Sequence, residues 1–141
     1  MSSAFKIIYS PKYHVAIGRH VFPTNKYQLI YKRLLKEGLF EEGDFLFPKA
    51  VSEEDLLLVH TKDYVDKLLK ERMSAFDLMR LELPFSRELI EASRICVEGT
   101  ILAARYAIKD GISIHIGGGF HHSFPDHGEG FCVFNDIAIG I

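Results

Sequence analysis

Histidine can take or give a proton close to neutrality, because its ordinary pKa lies near 6.5. The chain has seven histidines. His14 and His20 follow its first apolar run, and His115, His121, His122 and His127 lie at or after its last one. His121 and His122 stand directly behind Gly117-Gly118-Gly119, at the carboxyl end of the run ISIHI. Glycine opens backbone conformations closed to other residues and lets a ligand come close to the chain. One member of such a pair can act as general acid and base while the other supplies charge to a polarised carbonyl or water. Adjacent side chains of a regular element point apart, which predicts a separate role for each. The plain alternative is a glycine-rich turn carrying two exposed histidines.

Other chemistries for this stretch fare differently. A phosphate-cradling loop fails in detail, since no GKS/T follows the glycines and no GxGxxG opens onto a helix. A zinc site from His121, His122, Asp126 and His127 is a further reading, although its spacing matches no common structural zinc pattern. Asp126 to Gly130 (DHGEG) reads as a solvated turn. Phe131 to Phe134 (FCVF) reads as a buried strand or extended core segment, with Phe131 as a candidate wall of a narrow apolar pocket. His60 and His115 read as core or capping histidines satisfied by hydrogen bonds.

These residues must be held by a scaffold. Phe5 to Ser10 reads as a first strand, closed by Pro11, and its unbroken Ile7-Ile8-Tyr9 predicts a central position with both faces covered. A loop over Lys12 to Phe22 follows. Pro23 to Lys36 carries apolar residues at helical spacing and ends before Gly38, and Leu39 to Lys49 reads as a connector. Ser52 caps a short acidic-fronted helix through Val59, Thr61 caps another, and Met73 to Arg80 reads as a weak helix before the loop LELP. Ser86 caps the longest helix, running to about Lys109, and Asp110-Gly111 stops it. ISIHI then resumes as a strand, and Asn135-Asp136 reads as the cap of a last helix. A long helix between two apolar strands is the βαβ pattern, which implies an α/β fold with a parallel sheet.

The totals set bounds. A chain of 141 residues, 48% hydrophobic and 26% charged, suits one ordinary globular domain. Its formal charge of -2 and interleaved acids give phosphate backbones no basic patch, so nucleic acid is not an expected partner. MSSAFKIIYS lacks the apolar core of a signal peptide and no run is long enough to span a membrane, which predicts a cytoplasmic protein. Cys96 and Cys132 lie in apolar segments without CxxC spacing and read as buried free thiols.

GGGFHHSFPDHGEGFCVFNDIAIGI resembles the signature segment of the zinc-dependent histone deacetylase superfamily, which includes acetoin-utilisation proteins and acetylpolyamine amidohydrolases. The glycine lead, tandem histidines, GFC and ND occur in the family's order. Collinear agreement runs upstream through IIYSPKY, FPTNKYQLI, EDLLLVHTKDYVDKL and EGTILAARYAI, in a style similar to bacterial and class IV-like members. The resemblance implies the arginase-deacetylase α/β fold, a mainly parallel sheet with helices on both faces. Residues 1–141 would form the amino-terminal part of a single catalytic domain. It also implies zinc-assisted hydrolysis of an acetyl-amide, on an acetylated lysine peptide or a small acetylated amine.

By that resemblance His122 is the general base and acid, and His121 its electrostatic partner. Phe131 is the aromatic wall of the acyl-lysine tunnel, and the Gly130 carbonyl is an acceptor lining it. Glu82 is similar to the rim acid that holds substrate backbone. Cys132 and Lys26 lie toward the inner end, where the family often has arginine. The family's metal ligands lie in a DxDxHxGxG-type motif and at a later aspartate, and its carbonyl-polarising tyrosine is later still. None of these occurs here, so the metal ligands are expected after residue 141. The expected partners are the substrate and the remainder of the catalytic domain, or a second copy in a homo-oligomer. A non-catalytic binding or assembly module is the alternative.

Overall fold

The structure, a computed structural model, describes residues 5–141. The signal-peptide reading of the chain's start falls partly on residues 1–4, outside the described residues. Three short parallel strands form the sheet: β1 (Ile7–Ile8), β2 (Phe45–Leu46) and β3 (Ile114–His115), in the order β2-β1-β3. Ile7 pairs with Phe45 and Ile114, and Ile8 with Leu46 and His115. The first strand is therefore central. Ile7 and Ile8 are both 0% exposed, so both faces of β1 are covered, as its unalternating apolar run requires.

β2 lies inside the stretch expected to be only a connector. Its ladder is two residues long between Gly43 and Pro48, too short to show a period, and it forms because β1 offers an open edge. The helices are α1 (Lys26–Lys36), α2 (Glu53–Leu56), α3 (Lys62–Leu69), α4 (Ala75–Leu81), α5 (Arg87–Asp110) and α6 (Asp136–Gly140). α1 begins three residues later than expected, because Pro23 to Lys26 closes a turn of its own. α2 stops at Leu56 rather than Val59, since the next residues leave the helix to deliver Thr61 as the following cap.

Side-chain caps set the other starts. Thr61 accepts from the Tyr64 N–H and Ser86 from the Leu89 N–H. Ser74 and Asp77 form a reciprocal capping box that fixes the start of α4. Gly111, at φ 87°, closes α5 in the left-handed conformation. Aromatic rings bind α1 to the sheet: Tyr31 stacks on Tyr9 at 4.4 Å and meets Phe45 edge-on at 4.8 Å. α5 packs against β1, β3 and α6. Cys96 and Cys132 are buried free thiols. No helix among the described residues is long and apolar enough to cross a membrane.

Candidate functional site

The stretch from Gly117 to Asn135 joins β3 to α6 and is held from three sides. Behind it, the buried Asp136 carboxylate accepts the Gly119 N–H at 2.9 Å and the Phe120 N–H at 2.7 Å. Beside it, His60 donates from Nδ1 to the Phe124 carbonyl at 3.0 Å and accepts the Asn135 N–H at Nε2 at 3.1 Å. Tyr64 donates to the Val133 carbonyl at 2.7 Å, and Ser123 donates to the same oxygen at 2.9 Å. Asn135 caps α6 through the Ala138 N–H and donates to the Ser123 carbonyl at 3.1 Å.

The third hold comes from a helix end. The last carbonyls of a helix lack partners within it, and α4 offers those of Arg80 and Leu81 to the Gly130 and Phe131 N–H groups, at 3.2 and 3.0 Å. Those bonds keep Phe131 at φ 68°, a left-handed conformation that costs a non-glycine residue roughly 1–2 kcal/mol. Glu82, capping α4, has φ 58°. The Glu82 carbonyl accepts from His20 Nε2 at 2.8 Å, and His20 Nδ1 accepts the Phe22 N–H at 3.0 Å. The His20 ring meets Phe131 edge-on at 5.1 Å. One histidine from the loop after β1 thus ties the helix end to the aromatic wall.

An open pocket of about 650 Å³ results. His122, Gly130, Phe131, Cys132, Lys26 and Glu82 all line it, so these six sequence-selected residues are brought together. His121 is not in the wall. Its Nδ1 donates to the Gly119 carbonyl at 3.0 Å, and its ring lies 4.2 Å from that of His122. The two rings meet because their backbone is a turn, where the divergence expected of a regular element does not hold. Glu82 is exposed and lies on the pocket lining. Lys26 sits over the Phe22 ring at 4.1 Å from its centroid.

Two aromatic walls were not singled out from sequence. Phe22 packs at 5.8 Å from Phe131 and 6.2 Å from Phe120, and all three line the pocket. Phe120 immediately precedes the tandem histidines, and that adjacency was a usable signal. The DHGEG stretch is less free than a solvated turn. The His127 ring stacks on Phe124 at 4.5 Å and sits between the Asp126 and Glu129 carboxylates, and a Cβ on the buried Gly128 would come within 2.7 Å of the Tyr64 hydroxyl. Phe131 to Phe134 forms no strand; one isolated bridge joins Glu129 to Cys132. Among the described residues no three histidine, cysteine, aspartate or glutamate side chains converge to hold a metal ion. The reading of His121, His122, Asp126 and His127 as a shared site is thereby overturned.

A histone deacetylase domain model matches residues 20–141. The chain belongs to the histone deacetylase family. It is 35% identical to an uncharacterised protein of Picosynechococcus sp., over 96% of this chain and 45% of that protein. It is 34% identical to the acetoin utilization protein AcuC of Bacillus subtilis, over 95% of this chain and 38% of that protein. It is also 34% identical to histone deacetylase 2 of Arabidopsis thaliana, over 99% and 38%. The fold matches an HDAC homologue from Aquifex aeolicus with a TM-score of 0.77 at 23% identity, covering 96% of this chain and 39% of that one. An HDAC homologue complexed with SAHA gives 0.73 at 24%, covering 96% and 40%. The chain spans less than half the length of these relatives. The α/β arginase-deacetylase fold expected from the sequence is therefore present, in part of its full extent.

Burial sets the charge of two histidines that hold the site in place. It pushes His115 down to about 4 and lowers His60, so both are neutral near pH 7. Below pH 6.5 the unfolded chain takes up protons at these positions more readily than the fold does, so stability falls with the pH, and for His115 it does so down to about pH 4. For His115 the loss between pH 7 and pH 5 is about 2 kcal/mol. Urea midpoints measured at the two pH values check this, with the lower midpoint expected at pH 5. A midpoint that does not move would contradict it.

Proposed function

We propose that this chain supplies the proton-transfer and tunnel part of a deacetylase that hydrolyses the acetyl-amide of an acetylated lysine or a small acetylated amine. The observation that carries the reading is His122 in the wall of an open aromatic pocket, facing the same space as Phe131, Gly130, Lys26 and Cys132. Apolar side chains with a few convergent polar groups suit a narrow acyl-bearing chain. Phe131 and Phe22 flank the substrate's alkyl chain, and the Gly130 carbonyl accepts an N–H from it. Glu82, exposed at the pocket and held left-handed by its neighbours, binds substrate backbone at the rim.

His122 takes a proton from the attacking water and returns it to the departing amine. His121, in ring contact with it and anchored to the Gly119 carbonyl, acts as its electrostatic partner. Zinc belongs to the proposal as the cofactor of the whole protein. The described residues do not provide its ligand set, which we assign to sequence outside residues 1–141. The rest of the catalytic domain is also the partner we assign to β3. This strand lies at the sheet edge with Ile112 and Ile114 exposed, whereas parallel sheets are covered on both faces and their edges protected.

Assays of an acetyl-lysine peptide on the full-length protein and on residues 1–141 test this reading. Turnover is expected from the full-length protein alone, lost with a chelator and restored by zinc. Undiminished turnover by residues 1–141 would overturn the division of the site.

A further inference from the structure

We propose that Asp136 is the positioning residue of the tandem-histidine turn, and that it is itself set by a part-buried chain of hydrogen bonds running from Tyr13 through His115 and Thr100. The proposal rests on the reading of His122 as the proton-transfer residue. Asp136 is 0% exposed and has no cationic partner among the described residues. Three donors satisfy its carboxylate instead: the Gly119 N–H, the Phe120 N–H and the Thr100 hydroxyl. Bonds from backbone N–H groups to a charged oxygen are among the stronger ones a protein makes. Two of the three go to the peptide groups immediately ahead of His121 and His122.

The chain behind Asp136 has a single consistent direction. Thr100 has one hydroxyl proton and gives it to Asp136, so its oxygen accepts from His115 Nδ1–H at 3.0 Å. A neutral His115 protonated at Nδ1 carries a lone pair at Nε2, which accepts from the Tyr13 hydroxyl at 2.8 Å. Burial favours both required states, holding His115 unprotonated and the Tyr13 phenol protonated. Every member then has one role, and no member can turn without leaving a neighbour unpaired.

Three glycines are fitted around this chain. A Cβ on Gly99 of α5 would collide with His115 and the Tyr13 hydroxyl. One on Gly117 would strike the Tyr13 ring, and one on Gly118 would lie 2.5 Å from His115 Nδ1 and 2.9 Å from Thr100 Oγ1. The glycine run therefore threads against the hydrogen-bonded chain before it turns into the histidines. Asn135 alone performs the helix cap, which leaves Asp136 free for this second task.

Displacement of a catalytic group by about 1 Å can cost on the order of a hundredfold in rate. In the full-length protein, Thr100→Val keeps the shape of threonine but removes the hydroxyl, and Thr100→Ser retains it. With an acetyl-lysine peptide, Thr100→Val and Asp136→Asn are expected to lower kcat roughly ten- to hundredfold with KM within about threefold, and Thr100→Ser to stay within about threefold of the parent. An unchanged kcat in Thr100→Val, or a loss in Thr100→Ser equal to that in Thr100→Val, overturns the proposal. A second readout needs no activity. The nitrogen NMR shifts of His115 are expected to show the neutral tautomer protonated at Nδ1, with the Nε2 signal moving in Tyr13→Phe. Protonation at Nε2 instead overturns the chain of bonds even if the variants do not fold. Absence of deacetylation in the parent protein would count against the functional reading alone, and the tautomer would still decide this one.

Discussion

Replacing His122 with alanine in the full-length protein lowers kcat for an acetyl-lysine peptide by roughly 10²–10⁴-fold, the range that a positioned acid–base group supplies, while KM changes little. The expectation follows from place. His122 is the tandem histidine that lines the pocket, whereas His121 stands outside the wall and spends its Nδ1 proton on the Gly119 carbonyl. His121→Ala accordingly gives a smaller loss, about tenfold, because it removes a charge beside the base rather than the base itself. Steady-state kinetics on the two variants separate these roles. A larger loss at His121 than at His122 would reverse the assignment.

Phe134→Ala has the largest expected effect on stability, about 3–5 kcal/mol, the usual cost of emptying a buried aromatic site. Phe134 is 1% exposed, and its ring packs at 5.4 Å from His60 and 6.4 Å from Tyr64. Those two side chains hold the Phe124 carbonyl, the Asn135 N–H and the Val133 carbonyl, so the cavity would open beside the bonds that fix the site loop. Phe124→Ala is the control. Its ring is 49% exposed and stacks on His127, and its loss costs under about 1 kcal/mol because little apolar area returns to water. Urea unfolding of both variants measures the difference, and equal costs would contradict the account of the core.

What the sequence made readable is what local chemistry decides. The Thr61 and Ser86 hydroxyls announce the helices they cap, and the unbroken Ile7-Ile8-Tyr9 run announces a central strand. His60 and His115 read correctly as core or capping histidines satisfied by hydrogen bonds, since each finds partners at both ring nitrogens. What stayed hidden depends on distant partners. β2 exists because β1 has an edge to offer, and nothing in Phe45-Leu46 alone records that. The left-handed Phe131 follows from the end of α4, about fifty residues before it, and the left-handed Glu82 at that end is held through its carbonyl by His20.

Asp136 shows the same limit most clearly. Beside Asn135 it reads as half of a helix cap, but its oxygens point back across the fold to Gly119, Phe120 and Thr100. The packing of α5 against both β3 and α6 brings those groups together. Lys26, Glu82, His122, Gly130, Phe131 and Cys132 line one pocket, and in the sequence a family likeness, not a local pattern, links them. Periodicity cannot place residues from α1, α4 and the last loop side by side.

The most direct test of the central claim is hydrolysis of an acetyl-lysine peptide by the full-length protein in oxygen-18 water, with the products analysed by mass. Water attack assisted by His122 predicts one labelled oxygen in each acetate and one free lysine amine per acetate formed. Peptide that stays acetylated, or acetate that carries no label, would contradict it.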